Sequence, residues 1–344
     1  MNKENFEQFF RGFHFVDCAV RSRSIIYLLG RQEYELEEGE EDPDEADVIK
    51  RLTNILLDNP ESQRYGYSDL VGFRITNIEA SQIPKPQVVA ADYSAGVYVM
   101  GSGDDHLETQ QVPYDDEKGP QRGGMIKLRN IDGYVYTAGG RRSICRREGP
   151  NHWVPLWKNM PLPKVKRRVD FEDYGFEDID GFDHDDLYAV GGHGDVWHYD
   201  GSLWKQVPFP SNMTLRNVCC GGDGQVYIGA QNGNVFRGRG NKWKHIHDGG
   251  LSLYFTDMVW FQDKVWCTSD YGLWTIENDK LERAAVPDWV GSCAGNLSAG
   301  DGILVVAGMY GAAMPQWHRL GVAGRHAGAL STVRGIIVLG ICDR

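Results

Sequence analysis

The sequence predicts an all-β fold, a β-propeller of seven four-stranded antiparallel blades, on three observations. Similar apolar pairs return at a fixed interval: Tyr188, Tyr227, Trp266 and Val305 follow one another at steps of 39 residues. A constant period near 40 marks a repeat architecture. Each period divides into runs of four to six apolar or alternating residues closed by Gly, Asn or Asp, which is the pattern of strands and turns and fits no helical period. The 344 residues hold 42 glycines and 10 tryptophans, a turn-rich and aromatic-rich mixture suited to many short strands. A β-sandwich shares the second and third features but has no reason to keep the first.

One unit is legible over 214–248, with strands at 214–220, 225–229, 234–237 and 243–246. Asp223-Gly224 supplies the positive φ of a tight hairpin between the first two. The neighbouring copies at 176–206 and 256–286 follow the same order. Tryptophan recurs near the start of the fourth strand at Trp153, Trp204, Trp243 and Trp317, where a large ring can seal one unit against the next. Earlier copies lie at 15–30, 97–101 and 133–139. Anchors therefore fall at 27, 98, 136, 188, 227, 266 and 305, and 335–340 reads as a partial eighth unit that closes the ring beside the N-terminal segment. Four-stranded units of this length cover neither face alone, so they stack around an axis, and the chain reads as one domain over 1–344.

Two intervals, 27 to 98 and 136 to 188, exceed the 39-residue step by 32 and 13 residues. Such excess marks loops grafted onto the frame, where function concentrates. The first insertion, about 31–68, opens with ten carboxylates in 15 residues, among them Glu37, Glu38, Glu40 and Glu41, and no base. Val48, Ile49, Leu52, Ile55 and Leu56 then form an i, i+3, i+4, i+7 stripe, with Asp42 as N-cap and Pro43 at the first helical position. This spacing predicts one short amphipathic helix lying on the propeller. The second insertion, about 158–175, carries Lys164, Lys166, Arg167 and Arg168, then Asp170, Glu172 and Asp173.

In a propeller, the connection between blades emerges on the same face as the turns between second and third strands. That face is expected to present Asp104, Asp105, Asp195, Asp270, Tyr271 and Tyr310, with Asp170, Glu172 and Asp173 overhanging. Acidic runs alone often do no more than keep a segment solvated. Acids mixed with aromatics on one face are instead how an interface gains affinity. The net charge of −12 and pI near 5.3 argue against nucleic acid as a direct partner and for a basic protein.

No basic region followed by a long apolar core opens the chain, and no run of 18 apolar residues occurs, so a cytoplasmic, membrane-free protein is expected. The seven cysteines include no C-x-x-C pair, which fits reduced, buried thiols. Gly-x-Ser-x-Gly, Walker-type and dinucleotide-binding sequences are absent, and the acidic triplets lack the order of a calcium loop, so no catalytic residue, metal or cofactor is expected. His245 and His247 share one side of a strand but are too few for a metal site. The first-strand segments 217–220, 256–261 and 296–299 are mainly apolar or small, which disfavours the alternative of a glycan-binding or glycoside-processing propeller with carboxylates at its axis.

The acidic single domain, degenerate blades and loop insertions resemble the bacterial immunity proteins that neutralise delivered nuclease toxins, as in contact-dependent growth inhibition. The resemblance implies a non-enzymatic protein that, as a monomer in a heterodimer, binds a basic toxin such as an EndoU-like ribonuclease. Its carboxylates would pair with the bases that a nuclease uses for phosphates.

Overall fold

The computed structural model describes residues 1–36, 39–109, 111–115, 117–162, 174–250, 254–269, 272–315 and 336–339. Seven antiparallel four-stranded meanders follow a short helix α1 (Lys3–Phe9). Blade 1 holds β1 (Phe13–Ser22), β2 (Ile25–Gln32), β3 (Lys50–Leu56) and β4 (Tyr65–Leu70). Blade 2 holds β5 (Thr76–Ser81), β6 (Gln87–Asp92), β7 (Val97–Gly101) and β8 (Asp104–Leu107). Blade 3 holds β9 (Met125–Ile131), β10 (Tyr134–Gly139), β11 (Ser143–Gly149) and β12 (His152–Pro155). Blade 4 holds β13 (Phe176–Asp183), β14 (Asp186–Gly191), β15 (Asp195–Tyr199) and β16 (Trp204–Gln206). Blade 5 holds β17 (Leu215–Cys220), β18 (Val226–Ala230), β19 (Asn234–Arg239) and β20 (Lys242–Asp248). Blade 6 holds β21 (Asp257–Phe261), β22 (Lys264–Ser269), β23 (Gly272–Glu277) and β24 (Lys280–Arg283). Blade 7 holds β25 (Asn296–Gly300), β26 (Ile303–Gly308), β27 (Gly311–Pro315) and β28 (Ile336–Leu339).

The first strands β1, β5, β9, β13, β17, β21 and β25 pack in a closed ring around the axis, with β1 meeting β25. Among the described residues, each gap between neighbouring blades is filled by its own apolar cluster. The gap between the two chain ends is no exception: Phe15, Cys18 and Ile26 of blade 1 pack with Val305, Ala307 and Met314 of blade 7. Burying side chains the size of Phe15, Ile26, Val305 and Met314 is worth about 1.5–3 kcal/mol each, so the ring is held shut from blade to blade.

Two sequence expectations are corrected. Residues 50–56 form the strand β3, paired with β2 from Ile25↔Leu56 to Arg31↔Lys50 and with β4 on its other side, and not a helix. Leu52 and Ile55 are wholly buried on neighbouring blade gaps. A strand covered on both faces loses its simple alternation, and Val48, Ile49, Leu52, Ile55 and Leu56 then imitate a helical stripe. Ile336–Leu339 pairs with β27 as the outer strand of blade 7 and begins no eighth unit.

The anchor at 98 also belongs elsewhere. Val97–Gly101 is the third strand of blade 2, whose second strand is Gln87–Asp92, six buried residues. Of the recurring tryptophans, Trp153 and Trp204 are 6% and 3% exposed, in the gaps between blades 2 and 3 and blades 3 and 4. Trp243 is half-buried against Phe209, and Trp317 lies outside the described residues.

Candidate partner-binding face

Because every blade is an antiparallel meander, its 1–2 and 3–4 turns share one rim, while its 2–3 turn and the connection to the next blade share the other. The two rims differ in chemistry. On the first, here the lower rim, tight turns such as Asp132-Gly133, Asn278-Asp279 and Asp301-Gly302 run at positive φ. Many of its described carboxylates are spent on local pairs. Asp223 pairs with Arg237 at 3.0 Å, Asp279 with Arg237 and Lys244 at 3.0 and 2.7 Å, and His184 meets Asp132 at 2.8 Å.

The upper rim carries the longer connections and most of the apolar exposure among the described residues. Among the described residues, the large hydrophobics more than 60% exposed are Val71, Ile75, Met309 and Tyr310, at 77, 65, 65 and 66%, and all four stand on it. Tyr34, Tyr93, Tyr114, Tyr254 and Trp289, the last on α2 (Asp288–Ser292), are further exposed rings of this rim. Large apolar side chains exposed together on one rim mark an interaction surface.

The acidic run 33–47 belongs to the connection between β2 and β3, on the upper rim, and divides in two. Its distal part is anchored: Arg31 and Lys50 pair with Glu45 at 2.8 and 3.0 Å, and Arg74 pairs with Asp44 at 3.1 Å. The Arg31 guanidinium, hydrogen-bonded to Glu45, outweighs burial and holds that carboxyl down at about 2. Glu40 and Glu41 are exposed.

The expected binding residues are therefore only partly brought together. Tyr310, Glu40 and Glu41 share the upper rim. Asp195 lies there too but is 8% exposed, with Arg142 Nε 2.6 Å away and the Trp197 indole and Gln206 amide donating to it. It is a structural residue. Asp104 and Asp105 follow the 3–4 turn of blade 2 and lie at the lower rim: Asp104 pairs with Lys85, and Asp105 accepts from Tyr98 at 2.7 Å and Ser68 at 2.9 Å. Their displacement follows from the misplaced anchor at 98, since a one-strand slip exchanges the rims. Glu37, Glu38, Asp170, Glu172, Asp173, Asp270 and Tyr271 lie outside the described residues.

The axis departs from expectation. The first strands carry a charged network: Arg129 donates to Asp178 at 3.1 and 2.9 Å and to Asp257 at 2.6 Å, and Lys127 reaches Asp257 at 3.2 Å. Burial works to raise the Asp257 carboxyl, but Arg129 and Lys127 hold it below its ordinary value. Burial pushes Asp17 and Asp180 up to about 6 and Glu79 up to about 7. Glu79, Arg129 and Asp180 line a cavity of about 200 Å³ at the hub.

Most of these acids also latch blades together. Asp17 accepts the backbone N–H of Ile78 at 2.8 Å, Asp178 that of Val218 at 3.0 Å and Asp257 that of Leu297 at 3.0 Å, each across one blade gap. Asn77 and Asn217 donate across their gaps to Ile126 and Thr256 at 2.9 and 3.2 Å. The signal was present in the sequence: Asp178, Asn217, Asp257 and Asn296 recur at 39 to 40 residues, in phase with the anchors.

No family model matches the chain. The chain is 31% identical over 236 residues to the immune protein Tsi7 of Pseudomonas aeruginosa, covering 69% of this chain and 75% of that protein. Among solved structures, the WD40 β-propeller domain of Doa1 superposes with a TM-score of 0.54 at 9% identity over 86% of this chain and 90% of its own. U3-55K does so with 0.56 at 13% identity over 96% of each chain. At such identities these two likenesses concern the fold alone.

Proposed function

Because the chain belongs to the family of the immune protein Tsi7, we propose that it is an immunity protein that neutralises a toxin by binding it with the upper rim of the propeller. The observation that carries the choice of rim is the segregation of exposed Val71, Ile75, Met309 and Tyr310 to one side, beside the exposed acids of 33–47. Aromatic and aliphatic anchors inside a charged border are the anatomy of a tight interface. The net charge of −12 favours a basic toxin, and acidic borders speed such encounters. A nucleic-acid-cleaving toxin fits this chemistry, an EndoU-like ribonuclease among them, met in the cytoplasm as a one-to-one complex and delivered as in contact-dependent growth inhibition. Among the described residues no helix is long and apolar enough to cross a membrane.

The test is co-expression in a bacterial host with the toxin domain encoded beside this chain. Restored growth and a stoichiometric complex support the reading. Unrelieved toxicity with both proteins folded contradicts it.

A second reading, glycoside processing at the hub, has one observation in its favour: Glu79 and Asp180, pushed up to about 7 and 6 by burial, have the carboxyl character a general acid needs. Two facts weigh against it. The cavity of about 200 Å³ is below the usual size of a ligand site, and Asp180 is occupied by the Cys220 and Gly181 N–H groups at 2.7 and 2.8 Å. Release of sugar from a glycan panel by the purified protein, lost in Glu79→Gln, would restore it.

A further inference from the structure

Between blades 2 and 3 the upper rim opens into a cavity of about 870 Å³. Glycine makes its floor. A methyl group at Gly123 would stand 1.9 Å from the Gly140 carbonyl oxygen, and one at Gly124 would stand 2.3 Å from the Tyr93 ring. The chain at 123–124 therefore lies flat against the β10–β11 turn and leaves volume above it.

Tyr93, Val112 and Tyr114 supply apolar wall. Tyr114 is 56% exposed, yet its hydroxyl accepts from Arg141 Nη1 at 2.8 Å, which fixes the ring. Gln121 also lines the cavity and is 3% exposed; its amide N–H donates to the Gly123 carbonyl, while its side-chain oxygen has no donor among the described residues. Leaving a buried acceptor unmet costs about 1–3 kcal/mol, and because this oxygen is closed to solvent, an incoming N–H group relieves that cost by turning the Gln121 side chain toward the cavity.

The cavity adjoins the acidic connection. Tyr93 donates its backbone N–H to Ile75 at 2.8 Å, and Arg74, the residue before Ile75, pairs with Asp44. Asp115 and Glu117, both exposed, follow the lining residue Tyr114 in the chain.

We propose that this cavity is the anchor pocket of the toxin-binding face, and that its occupant is a tryptophan side chain at the tip of a lysine- and arginine-rich toxin loop. The proposal rests on the immunity reading above. An indole matches the aromatic walls and brings a single N–H for Gln121, whereas phenylalanine brings none. Basic flanks would lie toward the exposed carboxylates of Glu41, Asp115 and Glu117, where an acidic loop is repelled.

Calorimetric titration of the full-length protein with the capped peptide Lys-Arg-Trp-Arg-Lys, and with the same peptide bearing Ala for Trp, tests it. The tryptophan peptide is expected to bind about tenfold tighter. Ser94→Trp, which fills the mouth from an exposed lining position, and Tyr114→Ala should each remove that preference without lowering the melting temperature, while Leu203→Ala on the lower rim keeps it. Equal binding of the two peptides, or a preference that survives both pocket variants, overturns the proposal. Growth protection by the wild-type protein separates the readings. Protection without tryptophan preference refutes the pocket alone, and tryptophan preference without protection refutes the immunity assignment.

Discussion

At the scale of single residues, the hub sets charge against burial and the sign of the balance differs from group to group. Arg129 is enclosed with Asp178 and Asp257, both nearly inaccessible to solvent. Removing the cation leaves the buried Asp178 without its positive partner and Asp257 with Lys127 alone, so Arg129→Met should cost about 3–5 kcal/mol in chemical denaturation; a loss under 1 kcal/mol would show that water reaches the hub freely. Glu79 has the opposite character. Burial raises its carboxyl to about 7, above the ordinary value near 4.3, so the folded state binds its proton more tightly than the unfolded chain does. Its contribution is therefore fully present below about pH 4 and lost as pH rises through about 7. Glu79→Gln, which keeps an acceptor for the Ala80 N–H, should raise stability at pH 8 and flatten the rise in stability between pH 8 and pH 5. An unchanged pH profile would place the titration elsewhere.

At the scale of elements, the repeated tryptophans are graded by position. Trp204→Ala should destabilise by about 3–5 kcal/mol because its ring is buried between blades 3 and 4, and Trp243→Ala by less because its ring is half-buried. Equal shifts in melting temperature would contradict that grading. The same elements show what a sequence discloses. Blades 4 to 6, and the first three strands of blade 7, were legible because they keep a 39-residue step and short turns; the outer strand of blade 7, Ile336–Leu339, stands far along the chain from β27 and read as the start of another unit. Blades 1 and 2 were blurred where β3 is covered on both faces and reads like a helix, and where the buried run 87–92 lacks the aromatic residue that marked most of the other second strands. The slip of one strand at residue 98 carried Asp104 and Asp105 to the wrong rim, whereas Tyr310, in a blade that keeps the register, was placed correctly. The acids at the axis were overlooked because Asp17 and Glu79 stand singly among apolar neighbours, while Asp178 and Asp180 are lost in the acidic stretch from Glu177 to Asp183, and only the ring of first strands gathers them.

At the scale of the whole molecule, the propeller separates a polar, self-paired lower rim from an upper rim that mixes exposed apolar side chains with acid. Charge on the upper rim should act on encounter more than on fold. Reversal at Glu40 and Glu41 to Lys is expected to slow association with the toxin severalfold at low salt and to leave the melting temperature within about 1 °C, since exposed charges contribute little to stability. Rates that do not depend on salt or on these charges would remove electrostatic steering from the account. The claim on which the account turns is that the upper rim, and not the lower, grips the toxin. Hydrogen–deuterium exchange of the complex against the free protein measures it directly: slowed exchange is expected in the connections at 71–75, 93–95, 111–124 and 309–311, with the turns at 132–133, 223–224 and 301–302 unchanged. Slowing confined to those lower turns would contradict it.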